Sequence, residues 1–166
     1  MNSSKTPEQF PTIRFSYTPD QSLGFQAGLI SRMFDSILLQ QFRKNGIIIT
    51  AEQWGILLVL VRYGSMTFNE LSYKMHMKKK DINMLTTQLN AKGWISLEQK
   101  DKNLIKTVKA TESAISLVDR CSAIAFQILD DVTVGMTDLD LLLYNKLQSK
   151  IIRNLRSVLN LNDAGK

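Results

Sequence analysis

Cysteine, histidine and proline are scarce in this chain of 166 residues, and each scarcity bears on which bonds, sites or helices the chain can form. The single cysteine, Cys121, cannot form an intrachain disulfide and is typical of a reducing compartment. With one histidine, His76, the chain has no His/Cys set for a metal site, and we expect no metal and no cofactor. The three prolines, Pro7, Pro11 and Pro19, all precede residue 20, so helices are permitted beyond it.

Long hydrophobic runs are also missing. No apolar stretch approaches the roughly 20 residues that cross a membrane, and the first twenty residues are polar, unlike a signal peptide. We therefore expect a cytoplasmic protein without a membrane partner. The chain is 44% hydrophobic, which is enough for an ordinary domain core. Residues 1–19 are expected to form an extended N-terminal arm.

The excess positive charge lies in one segment, 62–109. This segment has ten basic and four acidic residues, 10 − 4 = +6, and the whole chain has 21 − 15 = +6, so the remainder is neutral. A concentrated basic surface indicates a polyanionic partner, of which nucleic acid is the commonest.

Capping patterns and apolar periodicity predict four helices before and within the basic segment. Thr50 with Gln53 and Thr67 with Glu70 match the capping box that begins a helix. Gly93 stands where a left-handed residue ends one. The predicted helices cover 23–42, Ala51–Tyr63, Phe68–Met75 and 79–92.

A hairpin and two long helices follow. The β-prone runs 94–98 and 104–108 flank a polar turn, which predicts the hairpin. Thr111 and Thr137 then open helices that reach about residues 134 and 159. Their apolar stripes are wider than a small domain covers by itself, so we expect a second subunit against them. The predicted fold class is mainly α with a small β-hairpin.

The order helix, short strand, helix, turn, helix, hairpin is that of a winged helix-turn-helix. The sequence resembles the MarR family of bacterial transcriptional regulators over roughly residues 22–160. The resemblance is carried by Thr50-Ala51-Glu52-Gln53-Trp54 with Ile56-Leu57, by Thr67-Phe68-Asn69-Glu70-Leu71, by Leu89-Asn90-Ala91-Lys92-Gly93-Trp94-Ile95, by Asp101 and by Thr111. Three positions depart from the family pattern: Asn103 replaces the usual wing arginine, Ala110 a leucine and Ala114 a glycine.

The resemblance implies a division of the chain into a winged module and dimerisation helices. The expected parts are an arm (1–19), a first dimerisation helix (20–48), a winged helix-turn-helix module (49–110), C-terminal dimerisation helices (111–160) and a tail (161–166).

The predicted helix 79–92 is the expected recognition helix. Stepping 100° per residue from an inward face of Ile82, Leu85 and Leu89 places Lys80, Met84, Thr87 and Ala91 outside, with Asn83 and Gln88 flanking. The lysines at the start of this helix are placed to bind phosphate, and the side-chain amides of Asn83 and Gln88 can hydrogen-bond to base edges. The predicted DNA contacts are Lys78, Lys79, Lys80, Asn83, Met84, Thr87 and Gln88, with Lys100 and Lys102 from the hairpin tip.

These features predict a homodimeric, sequence-specific regulator that binds a pseudo-palindromic site on double-stranded DNA. The resemblance further implies repression relieved by a small aromatic or lipophilic effector. Four residues could line its crevice: Phe34, Leu38, Trp54 and Phe126. The alternative, motivated by Asn103, is a protein-interaction or assembly module that does not read DNA. No catalytic constellation supports an enzyme.

Some of these residues also admit a plain structural interpretation. The lysine run 78–80 could be a solvated helix end, and the hairpin lysines could protect an edge strand from aggregation. His76 could contact phosphate or end a helix. Cys121 shares a helical stripe with apolar residues, which favours a buried thiol over a redox sensor. Trp54 and Trp94 are expected in the core, and the aspartates near helix ends are expected to be caps.

Overall fold

The structure is a computed structural model, and it describes residues 18–100 and 105–163. The chain forms two compact units, Met1–Ile124 and Ala125–Lys166. The helices are α1 (Leu23–Lys44), α2 (Ala51–Tyr63), α3 (Phe68–Met75), α4 (Lys79–Ala91), α5 (Glu112–Val132) and α6 (Asp138–Asp163), and the strands are β1 (Met66–Thr67), β2 (Ile95–Lys100) and β3 (Ile105–Ala110). Most of the expected arm 1–19 lies outside the described residues, and Pro19 begins a short 3-10 helix, Pro19–Gln21.

Side-chain caps begin α1, α2 and α3. The Ser22 hydroxyl accepts from the N–H of Phe25 at 3.3 Å at the start of α1. Both predicted capping boxes are confirmed, with Thr50 Oγ1 accepting from Gln53 N at 3.2 Å and Glu70 Oε2 accepting from Thr67 N at 2.8 Å. Such a cap contributes about 1 kcal/mol because it satisfies backbone donors that the helix leaves free.

The three strands form one antiparallel sheet in the order β1-β3-β2. The predicted hairpin is confirmed, and its ladder runs from Ile95 opposite Ala110 to Lys100 opposite Ile105. β1 adds to the outer edge of β3, with Met66 opposite Val108. Both strands end two residues later than their β-prone runs, β2 at Lys100 and β3 at Ala110, because each end residue has a cross-strand partner, Ile105 and Ile95. Residues 101–104 lie outside the described residues.

The core of the first unit joins α1 to the winged elements. Ten of its large apolar side chains are at most 2% exposed, namely Leu38, Phe42, Ile56, Leu57, Leu60, Leu71, Ile82, Leu89, Ile95 and Val108. Trp54 is buried as predicted, and its ring packs edge-on against Phe42 with 5.5 Å between centroids. Each such side chain stabilises the fold by about 1.5–3 kcal/mol. Trp94 is only half-buried, unlike the prediction: it lies in the bend just before β2, with the Lys92 ammonium over its ring.

The start of α5 is tied to the end of α4. Thr111 Oγ1 donates to the carbonyl oxygen of Gly93 at 2.8 Å and accepts from Ala114 N at 3.4 Å. Gly93 has a φ of +70°, and Trp94 N donates to Leu89 O at 3.0 Å around it, so Gly93 ends α4 as predicted.

Cys121, on the same helix, is fully buried, which confirms the buried-thiol interpretation. Burial raises the pKa of its thiol to about 11, against a small opposing effect of Arg120.

The second unit contains the end of α5 and all of α6. Thr137 and Asp140 exchange hydrogen bonds at the start of α6, so the predicted helix start is confirmed. Within residues 18–163, apart from 101–104, no helix is long and apolar enough to cross a membrane. Many large apolar side chains of this unit are exposed, including Phe126, Val134, Leu139, Leu142, Leu143, Leu147, Ile152, Leu155 and Val158.

Candidate nucleic-acid interface

Helix α4 has one buried face and one exposed face. Ile82 and Leu89 are fully buried and Leu85 is 6% exposed, as the helical periodicity predicts. Thr86, which the apolar periodicity did not place on this face, is 1% exposed, and its hydroxyl donates to Ile82 O at 2.7 Å. This internal hydrogen bond lets a threonine replace an apolar residue on the buried face.

Every residue predicted to contact DNA from α4 is exposed. Met84 is the one large apolar side chain among them, with 54% of its surface exposed. The Thr87 hydroxyl donates to the carbonyl of Asn83 at 2.8 Å, which leaves its methyl group and oxygen lone pairs for a partner. The outward placement is confirmed, whereas contact with DNA stays a prediction.

The N-terminal end of α4 concentrates positive charge. Lys78 occupies the N-cap position without a side-chain cap, and Lys79 and Lys80 form the first turn. Among the residues that the structure describes, none holds these three ammonium groups in an ion pair or hydrogen bond. Exposed cations beside the N–H groups of a helix start suit a phosphate.

The turn between α3 and α4 contains His76. Its backbone is left-handed (φ 51°, ψ 45°) at the C-cap of α3, and its side chain is exposed. The Ser72 hydroxyl donates to Met77 O at 2.6 Å and closes the same turn. His76 therefore ends a helix, the second of its two interpretations, at a position where a β-carbon is strained.

Gln88, one of the residues predicted to contact DNA, has a side-chain partner on another helix. Its Oε1 accepts from Nε2 of Gln53 at 2.8 Å. Gln53 is 4% exposed and lies 35 residues earlier, in the capping box of α2. The capping pattern located Gln53 at a helix start, but no local signal could show its contact with α4.

Other basic residues of the segment 62–109 are engaged within the first unit. Lys92 Nζ donates to Ile48 O at 3.0 Å and lies 4.6 Å from the centroid of the Trp94 ring. Lys109 is 3.6 Å from a carboxylate oxygen of Glu98. Among the described residues of this segment, the start of α4 brings together three neighbouring lysines, Lys78, Lys79 and Lys80, that are not engaged in this way.

The hairpin tip is only partly described. Lys100 ends β2, but nothing is described of its side chain, and Lys102 and Asn103 lie outside the described residues. The predicted contacts of Lys100 and Lys102 thus stay predictions. Lys106 is exposed on β3.

The four residues predicted to line an effector crevice have different surroundings. Leu38 and Trp54 are buried core residues at 2% and 7% exposure, and Phe34 is half-buried on α1. Phe126 belongs to the second unit and is 65% exposed.

A cavity of about 480 Å³ lies between the α1–α2 turn, the residues just before β2 and the first turns of α5. Its lining includes Ile48, Trp94, Ser116, Leu117 and Arg120. None of the four residues predicted for the crevice lines it.

Comparisons with solved structures identify the fold. The Staphylococcus aureus MepR–DNA complex matches with a TM-score of 0.68 at 17% identity, over 83% of this chain and 99% of that one. Bordetella bronchiseptica BpsR, in a structure on regulation of its DNA binding by 6-hydroxynicotinic acid, matches with a TM-score of 0.70 at 16% identity, over 82% and 96%. Wild-type Escherichia coli MarR without ligand matches with a TM-score of 0.65 at 20% identity, over 78% and 96%. The chain has the MarR fold.

No family model and no curated protein sequence matches the chain. The MarR fold is therefore assigned from structural similarity alone, at identities of 20% or less in these three matches. It agrees with the winged helix-turn-helix predicted from the caps and the hairpin. In this fold α4 is the second helix of the helix-turn-helix, the one that enters a major groove in proteins of that kind.

Proposed function

We propose that this protein is a homodimeric transcriptional regulator that binds double-stranded DNA in a sequence-specific manner. The observation that carries the proposal is α4, which combines a cationic N-terminal end with an exposed polar face. Affinity comes from phosphate contacts of Lys78, Lys79 and Lys80, and sequence preference comes from the polar groups further along the helix. A structure with the same fold is a complex with DNA, which supports this proposal.

The dimer is supported by the apolar side chains that each unit leaves exposed. On α1, Leu23 and Met33 are 61% and 58% exposed, and on α6, Leu139 and Leu142 are 70% and 66% exposed. Apolar surface of this extent is typical of a protein interface. A symmetric dimer would place its two α4 helices on a pseudo-palindromic operator about one helical turn apart.

We propose repression as the mode of regulation, with relief by a small aromatic or lipophilic effector. BpsR, which has the same fold, is described as regulated by a small aromatic acid. The cavity of about 480 Å³ in the first unit has the size of a small-molecule site and offers Trp94 as a stacking surface. An effector acts only if it binds more tightly to one arrangement of the protein than to the other.

Selection of bound fragments from genomic DNA, followed by gel shifts at rising salt, tests the proposal. A regulator should retain one family of sequences at a salt concentration that releases unrelated DNA. The control duplex has the same base composition in scrambled order. Equal, salt-labile binding to both duplexes would refute sequence reading and favour the alternative, an interaction module that does not read DNA.

A further inference from the structure

We infer that Gln53, a buried residue of α2, determines which base edge Gln88 reads, by fixing the polarity of its side-chain amide. The inference rests on the proposed function, because it concerns the DNA-reading face of α4. It assigns a positioning role to a residue that cannot itself reach DNA.

The orientation of the Gln53 amide is determined by its other partners. Two donors point at its Oε1, the Thr50 N–H at 3.4 Å and the Lys92 ammonium at 3.4 Å. A carbonyl oxygen can accept from both, whereas an amide NH₂ cannot. Oε1 therefore faces these donors, and Nε2 is the atom left to face α4.

Gln88 must then accept with its oxygen. Its Oε1 accepts a hydrogen bond from Gln53 Nε2, with 2.8 Å between nitrogen and oxygen. The Gln53 side chain that donates is 4% exposed. Gln88 itself is exposed, and within residues 18–100 and 105–163 its Nε2 has no hydrogen-bond partner. The group that Gln88 offers to DNA is a donor.

A glutamine that offers only its NH₂ group reads different bases from a glutamine whose whole amide is available. A glutamine with both amide atoms available pairs with adenine by donating to N7 and accepting from the N6 amine. With Oε1 held inside the protein, Gln88 favours edges that carry only acceptors, the O6 and N7 of guanine or the O4 of thymine. Cytosine, whose major-groove edge is an amine donor, is the base it rejects.

The substitution Gln53→Glu should reverse which amide atom of Gln88 faces outward, and it should keep the fold. Glutamate is the other residue that completes a capping box with Thr50, so the start of α2 is preserved. A carboxylate only accepts, so the Nε2 of Gln88 turns inward and its Oε1 is left outward. The outward group then accepts, and the favoured bases become those with an amine donor in the major groove, cytosine and adenine.

The experiment is selection from duplexes randomised across the binding site, with native protein, Gln53→Glu, Gln88→Ala and the double variant. Gln148→Glu is the matched control, because it makes the same charge change at an exposed glutamine of α6. At the position whose preference Gln88→Ala removes, native protein and Gln148→Glu should prefer guanine or thymine over cytosine by about fivefold or more. Gln53→Glu should prefer cytosine or adenine over guanine and thymine, and the double variant should show no preference there.

The outcomes separate this inference from the proposed function. If native protein selects no sequence that survives salt, the proposed function fails and this inference fails with it. If native protein selects a sequence but Gln88→Ala alters no position, or Gln53→Glu keeps the native preference at the altered position, the inference alone is overturned. A uniform loss of affinity in Gln53→Glu does not affect the result, because base preference is a ratio of affinities.

Discussion

Replacing Lys79 and Lys80 by glutamine should flatten the salt dependence of DNA binding. Both side chains are exposed in the first turn of α4, where each can reach a phosphate. The logarithm of affinity falls with the logarithm of salt concentration by about 0.9 for each phosphate contacted. In the proposed homodimer, two lysines in each protomer would make four contacts, so the slope should decrease by about 3.6.

The same substitution should leave the fold intact. Cations at a helix N-terminus oppose the helix dipole, so their removal is neutral or stabilises α4 by a few tenths of a kcal/mol. Between about 0.05 and 0.2 M salt, the affinity of the variant should fall about a hundredfold less than that of native protein.

Fluorescence anisotropy with a labelled operator, at several salt concentrations, measures these slopes. The control variant, Lys146→Gln with Lys150→Gln, removes the same charge from exposed positions on α6 and should keep the native slope. The assignment of phosphate contacts to the start of α4 is refuted if both variants give the native slope, or if the control loses as much as the test variant.

Three further predictions follow from single residues. The buried Cys121 thiol, with a pKa raised from 9.0 to about 11, should form about a hundredfold less thiolate at neutral pH than an ordinary cysteine. Alkylation of the native protein by iodoacetamide, followed by mass spectrometry, should therefore be slower than alkylation in guanidinium by at least that factor. A native rate within tenfold of the unfolded rate would contradict this. Hydrogen bonds from the Thr67 backbone and hydroxyl lower the pKa of Glu70 from 4.5. The ionised Glu70 carboxylate therefore contributes fully to stability above pH 4.5, and this contribution is lost as pH falls through the lowered pKa. Glu70→Gln should weaken the acid dependence of the melting temperature. An unchanged acid dependence would argue against the cap. His76→Gly should melt at or above the native temperature. In a denaturant titration, His76→Val should be about 1–2 kcal/mol less stable than His76→Gly, since only glycine adopts the left-handed backbone without strain. Equal stability of the two variants would contradict that reason.

Local rules were sufficient wherever a structure depends on neighbours in the chain. The bounds of α2 and α3 match their predicted bounds because each capping box joins residues three apart. The end of α4 at Gly93 and its inward and outward faces follow equally from helical geometry. The wing was predicted as a hairpin, but the addition of β1 to its outer edge brings together residues some forty positions apart, Met66 and Val108.

Sequence alone thus determined the elements of this protein, the order that makes a winged helix-turn-helix, and the residues that α4 exposes. Only the tertiary structure decided how those residues are used. It places the buried amide of Gln53 against Gln88, the Lys92 ammonium on the carbonyl of Ile48, and a cavity where no crevice residue was predicted. The physical reason is one of range: caps and periodicity act within a helical turn, whereas the polarity of an exposed amide depends on a partner that folding brings from 35 residues away.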